Sequence, residues 1–312
     1  MRDAGCYKTF DSQTILSRRG RGNRVSERMG AIPNSEFAEG TALHFPPMQV
    51  VAFDFDGVLC NSSREVFLVA SDTYAFMKPG SHLLENLSEL REQVARSAAD
   101  FANDPLVQAF SDLHPLGNRA EDFGVALCAL DAGISIENQA AYDEFYSSLG
   151  PAWLASYHRR FYEARAFLRN LDPEAWLRLH TPYTGLGKTL RRRSDSALLA
   201  VATAKDATSA HLLLDELGLA DLFDPKMVLD KETGVEKTIH LTALRERAGV
   251  EFGDITFVDD KVNHLQRVAH LGVRPILAGW GFNTPREHRL AERLGFEIAS
   301  LDNVEAVLFR GD

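Results

Sequence analysis

The run Val50-Val51-Ala52-Phe53-Asp54-Phe55-Asp56-Gly57-Val58-Leu59 constrains this chain more than any other stretch. Apolar residues lead without interruption into two acids and a glycine. Such a pattern predicts a buried strand that delivers its C-terminal end to solvent. Residues i and i+2 of a strand point the same way, so Asp54 and Asp56 would share a face if strand geometry persisted. A strand that ends between them sends both into one cleft instead. Ligands of open α/β sheets gather at that carboxyl edge. Paired acids repel there, and a cation is their natural companion. Taken by itself, the stretch is equally a strand followed by an ordinary Asp-Gly turn.

The 312 residues, 45% of them hydrophobic, can bury a full core in one large domain or two smaller ones. A net charge of -10 disfavours broad binding to nucleic acid, yet leaves room for a local basic pocket that takes a small phosphorylated molecule. Cys6, Cys60 and Cys128 stand at no ligand-like spacing and read as free thiols of a reducing, cytoplasmic compartment. No apolar run approaches the roughly 18 residues of a membrane span, and the N-terminus lacks a secretory apolar segment. Residues 17–28 are basic and admit a transit peptide or a nucleic-acid tail, although Asp3 and Asp11 weigh against the former. The expectation for 1–46 is a poorly ordered leader or an over-extended start, with Met48 nearer the true beginning.

The texture changes twice. Residues 47–62 carry the first strand, and 63–180 form a block with apolar residues at helical spacing and no β-rich runs. Helices are expected over Glu85–Phe101, Arg119–Ala132, Ile136–Leu149 and Pro151–Arg169. Gly150-Pro151 is a stop-and-start signal between the last of these. From 181 to 312 strands and helices alternate. Strands are expected at Ala197–Thr203, Met227–Leu229, Ile255–Val258, Arg274–Leu277 and, at the edge, Phe296–Ile298. Alternation at this spacing implies βαβ units and a doubly wound parallel sheet, here with an inserted all-helical cap domain.

Polar residues close the strands: Asp54 and Asp56, Thr203, and Asp259-Asp260, while Lys237 opens a helix. Each has a bland reading as a helix cap or a surface lysine. Parallel strands end on one side, however, so these groups converge on one crevice. Carboxylates, a hydroxyl and an ammonium suit Mg²⁺ and a phosphoryl group, because Mg²⁺ prefers hard oxygen ligands.

Asp54-Phe55-Asp56-Gly57-Val58 resembles the first motif of the haloacid dehalogenase-like hydrolases, Thr203 their second, Lys237 their third and Phe257-Val258-Asp259-Asp260 their fourth. The resemblance covers roughly residues 49–280, and the helical block resembles the family's first cap type. It implies Mg²⁺-dependent hydrolysis of a small phosphomonoester. Asp54 would be the nucleophile that becomes an aspartyl-phosphate and Asp56 the general acid and base. Thr203, with Ala204 beside it, and Lys237 would bind the phosphoryl group. The metal would fall to Asp54, Asp56 (through its carbonyl) and Asp259, with Asp260 assisting or holding Lys237. An acid at position 56 argues against a dehalogenase, and Lys78 is a poor match for the cap lysine of phosphonatases. Thr238, Val258 and Asn263 depart from commoner forms of the motifs, so Lys231 stands as a second candidate lysine. Arg159, Arg160 and Arg165 of the long cap helix could meet an anionic substrate, with Arg159 and Arg160 preferred. Tyr157 and Phe161 read as core, and His264 as an ordinary helix residue. A phosphomutase of the β-phosphoglucomutase type and a non-catalytic phospho-ligand binder are the alternatives, and the oligomeric state is open.

Overall fold

The computed structural model describes residues 49–85, 92, 98–117 and 119–309. The leader expected over 1–46 and most of the helix expected over Glu85–Phe101 lie outside the described residues. Six strands form one parallel sheet in the order β5-β4-β1-β6-β7-β8. They are β1 (Val50–Phe53), β4 (Leu198–Ala202), β5 (Val228–Leu229), β6 (Ile255–Asp259), β7 (Arg274–Ala278) and β8 (Glu297–Ala299). The first strand in sequence is central, pairing β4 on one side and β6 on the other.

Alternation along β1 explains why it sits there. Val51 and Phe53 face one apolar layer with Leu199, Val201 and Ile276. Val50 and Ala52 face the other, with Ala200, Phe257 and Leu277. A strand apolar on both faces must be covered on both, which is the condition of a parallel sheet flanked by helices. Each buried side chain of this size contributes about 1.5–3 kcal/mol, and none in β1 is exposed.

Between β1 and β4 the chain leaves the sheet and returns. A short antiparallel pair, β2 (Cys60–Asn61) with β3 (Thr181–Pro182), ties the outgoing and incoming strands together. Beyond it stands the helical insert, built from helices that include Ser63–Met77, Pro105–Leu113, Ala120–Asp131 and Pro151–Leu171. The first of these went unread in the sequence because its buried residues, among them Val66, Phe67, Val69, Ala70 and Tyr74, leave no polar stripe to mark a period. Pro105 opens a helix: it occupies the first turn, and Asp104 accepts the amides of Leu106 and Val107. The insert has its own core around Phe67, Leu127, Tyr157 and Phe161. Gly124 admits it, since a Cβ there would lie 2.6 Å from the Tyr157 ring.

Charged groups tie the insert to the sheet domain. Lys261, just past β6, donates to the carbonyls of His114 and Gly117. Arg169 bonds Asp206 and Ser209. Within the insert, Arg165 grips Glu65 through two bonds of 2.7 and 2.8 Å, and Trp176 adds its indole N–H. Burial pushes the Glu65 carboxyl up, but Arg165 and then Lys205 outweigh it and hold the group at about 2. A folded value below the ordinary 4.5 means this stabilisation is complete above pH 4.5 and is lost as pH falls toward 2. Arg165→Leu should therefore lower unfolding free energy at pH 7 by about 3–5 kcal/mol, because a buried carboxylate loses its partner. Denaturant titrations should show that deficit shrinking as acid neutralises Glu65.

Candidate functional site

Asp54 is the first residue beyond β1, its amide still bonded to the Val258 carbonyl at 2.9 Å. The chain then wraps around one oxygen, with the amides of Val58, Leu59 and Cys60 all donating to the Phe55 carbonyl. Gly57 makes the wrap possible. Its φ is +83°, and a Cβ there would sit 2.2 Å from Asp260 Oδ2. This turn parts the acids. Asp54 meets Lys237, whereas Asp56 meets Lys205 at 3.2 Å.

Lys237 begins the helix Lys237–Ala248, and its Nζ lies 2.7 Å from both Asp54 Oδ1 and the Ala202 carbonyl. Asp259 Oδ2 is 3.7 Å from the same nitrogen. Lys231, the second candidate, lies instead beside Glu232 and over the Tyr162 ring. Thr203 follows β4, with its amide bonded to the Leu229 carbonyl and its hydroxyl accepting the Lys205 amide at 3.1 Å. It is not spent as a helix cap, since Asp206 caps the helix Ala207–Glu216.

Asp259 closes β6 and is wholly buried. It accepts the Lys261 amide at 2.9 Å, and His264 Nδ1 approaches its other oxygen at 2.9 Å. Asp54, Asp259 and His264 thus bring potential metal-binding atoms within 4.8 Å of one another. Burial pushes Asp54 above the usual carboxylate range, with Lys237 opposing and Asp259 adding to the rise. Burial also acts on Asp259, but His264 and Lys237 outweigh it and hold that group low. Lys237 is raised, since Asp54 and Asp259 overcome the cost of burying its charge. Asp260 is pushed well up by burial and by Asp259, and its Oδ1 has no hydrogen-bond partner among the described residues. Carboxylates this crowded lack positive charge, and a divalent cation fits the oxygens of Asp54 and Asp259.

Above these groups lies a cavity of about 100 Å³ between sheet domain and insert. Asp54, Asp56, Thr203, Ala204, Lys205 and Lys237 line its floor. Val66, Phe123, Phe161, Tyr162 and Arg165 face it from the insert.

The model of the family described as haloacid dehalogenase-like hydrolase matches residues 48–272, well over half the chain. The chain belongs to that family. No curated protein matches the sequence. Solved structures share the fold at low identity. A predicted phosphoglycolate phosphatase from Haemophilus somnus aligns with a TM-score of 0.52 at 17% identity, covering 83% of this chain and 97% of its own. A Lactobacillus delbrueckii subsp. bulgaricus protein with the same proposed activity gives 0.59 at 16%, covering 85% and 100%. A haloacid dehalogenase-like protein from Streptococcus pneumoniae gives 0.52 at 14%, covering 83% and 98%.

Within this hydrolase fold, several site residues read from the sequence require correction. Asp260 is not in the Asp54–Asp259–His264 cluster and does not hold Lys237 directly: its Oδ2 accepts the Phe282 amide at 2.8 Å and packs against Gly57. The Asp56 side chain also lies outside that cluster, which does not bear on the metal contact expected of its carbonyl. Arg159 pairs with Glu163 in solvent, and Arg160 lies over the Phe76 ring. Neither lines the cavity; Arg165 does. At 100° per residue the face carrying Tyr157 and Phe161 continues to 165, not to 159 or 160. Lys78 pairs with Asp131, away from the cavity lining. His264, read as an ordinary helix residue, reaches back to Asp259 because the first turn of its helix folds under the strand end. Lys205 was missed altogether; its only signal was a lysine just past a strand that already ended in threonine.

The loop after β7 buttresses this site: Trp280 donates to the Val58 carbonyl and Asn283 to that of Asp260. A Cβ on Gly281 would stand 2.3 Å from Asp260 Cβ and 2.4 Å from the Gly57 carbonyl. Gly281→Ala should cost about 1–3 kcal/mol by overpacking and depress turnover, whereas Gly253→Ala, with nothing within 4 Å of its Cβ position, should change neither. Thermal denaturation beside an activity assay distinguishes them.

Proposed function

We propose that the protein is a Mg²⁺-dependent phosphatase of a small phosphomonoester, working through an aspartyl-phosphate on Asp54. The observation that carries this reading is the buried contact of Lys237 with Asp54 at 2.7 Å, with Asp259 at 3.7 Å, beneath the cavity between sheet domain and insert. An ammonium held against one oxygen of a carboxylate leaves the other to attack and neutralises charge as the phosphoryl group arrives.

Asp54 and Asp259, with the Asp56 carbonyl, would hold Mg²⁺, and His264 would orient Asp259 from behind. When bound, the ion screens the phosphoryl oxygens from the attacking carboxylate. In the first step an Asp54 oxygen bonds to phosphorus as the ester P–O bond breaks, and the departing oxygen takes a proton from Asp56. In the second, Asp56 takes a proton from water, whose oxygen displaces Asp54 and yields phosphate. Thr203 and Lys237 bind phosphoryl oxygens in both steps. In the free protein, burial pushes Asp56 up but Lys205 and Arg165 outweigh it and keep the carboxyl low. A phosphoryl dianion arriving nearby works against them and returns the group toward its protonated form.

Phosphate release from a panel of small phosphomonoesters should require Mg²⁺, stop with EDTA and resume when the ion is restored. Asp54→Asn should lose at least about a thousandfold in kcat. Borohydride reduction of the enzyme during turnover should convert residue 54 to homoserine, read by mass spectrometry. Transfer of the group to a second hydroxyl without release would indicate a mutase, and ligand binding without turnover a binding protein.

A further inference from the structure

Lys205 is a fully buried ammonium with no hydrogen-bond partner among the described residues. Burying such a charge is costly unless an opposite charge answers it. Two carboxylates are near enough to influence or be influenced by it, Asp56 and Glu65. Glu65 is already engaged: Arg165 bonds both its oxygens, and the Trp176 indole shares one of them. Asp56 is not engaged in this way. Its Oδ1 has no hydrogen bond of its own and stands 3.2 Å from Lys205 Nζ.

The backbone of Lys205 is fixed at both ends. Its amide donates to Thr203 Oγ1 at 3.1 Å, and its carbonyl accepts the Lys231 amide at 3.1 Å. The side chain runs past the Phe55 ring, with the ammonium 5.9 Å from the ring centroid. Asp56, by contrast, sits on a turn, and its side chain is 29% exposed toward the cavity. A pinned cation therefore faces this carboxylate at close range, and the Arg165 guanidinium and the Ser62 hydroxyl act on it after Lys205.

We propose that Lys205 is the positioning residue for Asp56, holding its carboxylate where it can exchange a proton with the leaving oxygen. This rests on the phosphatase reading, in which Asp56 serves as acid and then base. Lys205 touches no reacting atom; it acts through Asp56. The proton balance is unchanged: Asp56 gives one proton to the departing oxygen and recovers one from water, while Lys205 keeps all of its own.

The test separates esters by their need for that proton. An alkyl phosphate requires an acid for its leaving oxygen, whereas p-nitrophenyl phosphate expels a stable phenolate without one. Lys205→Met preserves the apolar stem and removes the charge; Lys205→Gln keeps a donor and also removes it. Both should lose about 10²-fold or more in kcat/KM on the alkyl ester and no more than about threefold in kcat/KM on the nitrophenyl ester, because kcat/KM reports the first step alone, whereas the water step that follows needs Asp56 as base for either ester. The double variant with Asp56→Asn should be no slower than Asp56→Asn alone, as expected for residues that act as a unit. Equal losses on both esters, or additive losses in the double variant, would overturn the proposal. Inactivity of the parent protein on every ester would instead defeat the phosphatase reading. A crystal structure of Lys205→Met decides the positioning role without turnover: Asp56 should leave its present place, and an unmoved carboxylate would sink the idea.

Discussion

One ammonium among buried carboxylates governs the carboxyl edge of this sheet. Lys237 lies within 4 Å of Asp54 and Asp259, and Asp260 is the next residue along. Even with Lys261 acting on Asp260 and His264 on Asp259, three acids cannot all be comfortably ionised in so dry a place. The strain falls on Asp54 and Asp260, both held above the ordinary carboxylate range by burial. A sequence selected for stability would have replaced one of them. Their presence is the kind of local conflict that marks a working site, where a cation and an anionic ligand complete the charge.

The same short segment that carries the acids also holds the insert in place. Lys261 follows Asp260 and spends its buried ammonium on the carbonyls of His114 and Gly117. His114 stacks on Phe282, whose amide in turn bonds Asp260. Acid cluster, β7 loop and insert are therefore one continuous set of contacts, and moving any part of it disturbs the others. That is why a methyl group on Gly281, pressed against Asp260 and the Gly57 carbonyl, is expected to be felt at the site.

Much of this was legible in the sequence because it obeys local rules. Strands alternating with helices announced a parallel sheet, and polar residues at strand ends announced a shared edge. Asp54, Thr203 and Asp259 were found that way, and Lys237, which opens a helix, through its likeness to the third motif. What escaped depends on phase or on partners distant in sequence. Arg159 and Arg165 look alike in a string of letters, and only the rotation of the helix separates a solvent pair from a cavity wall. Helix Ser63–Met77 hid because its outer stripe mixes Leu68 and Phe76 with Arg64 and Asp72, so polarity marks no period. Lys205 and His264 gained meaning from Asp56 and Asp259, which lie 149 and 5 residues away, and no periodicity encodes either meeting. The pair β2–β3 is two residues long on each strand, too short for any strand pattern to register.

The cavity divides its labour by charge. The sheet domain supplies Asp54, Asp56, Lys205, Lys237 and the Thr203 hydroxyl. The insert supplies Val66, Ala120, Phe123, Phe161 and Tyr162, which exclude water, together with His114 and Arg119. Its cavity-lining Arg165 is tied by two bonds to Glu65, so it shapes the wall and biases Asp56 without being free to follow a ligand. Removing water strengthens each charge interaction on the floor below. The two halves of the lining therefore differ in kind, a charged floor beneath a largely apolar roof broken by His114, Arg119 and Arg165.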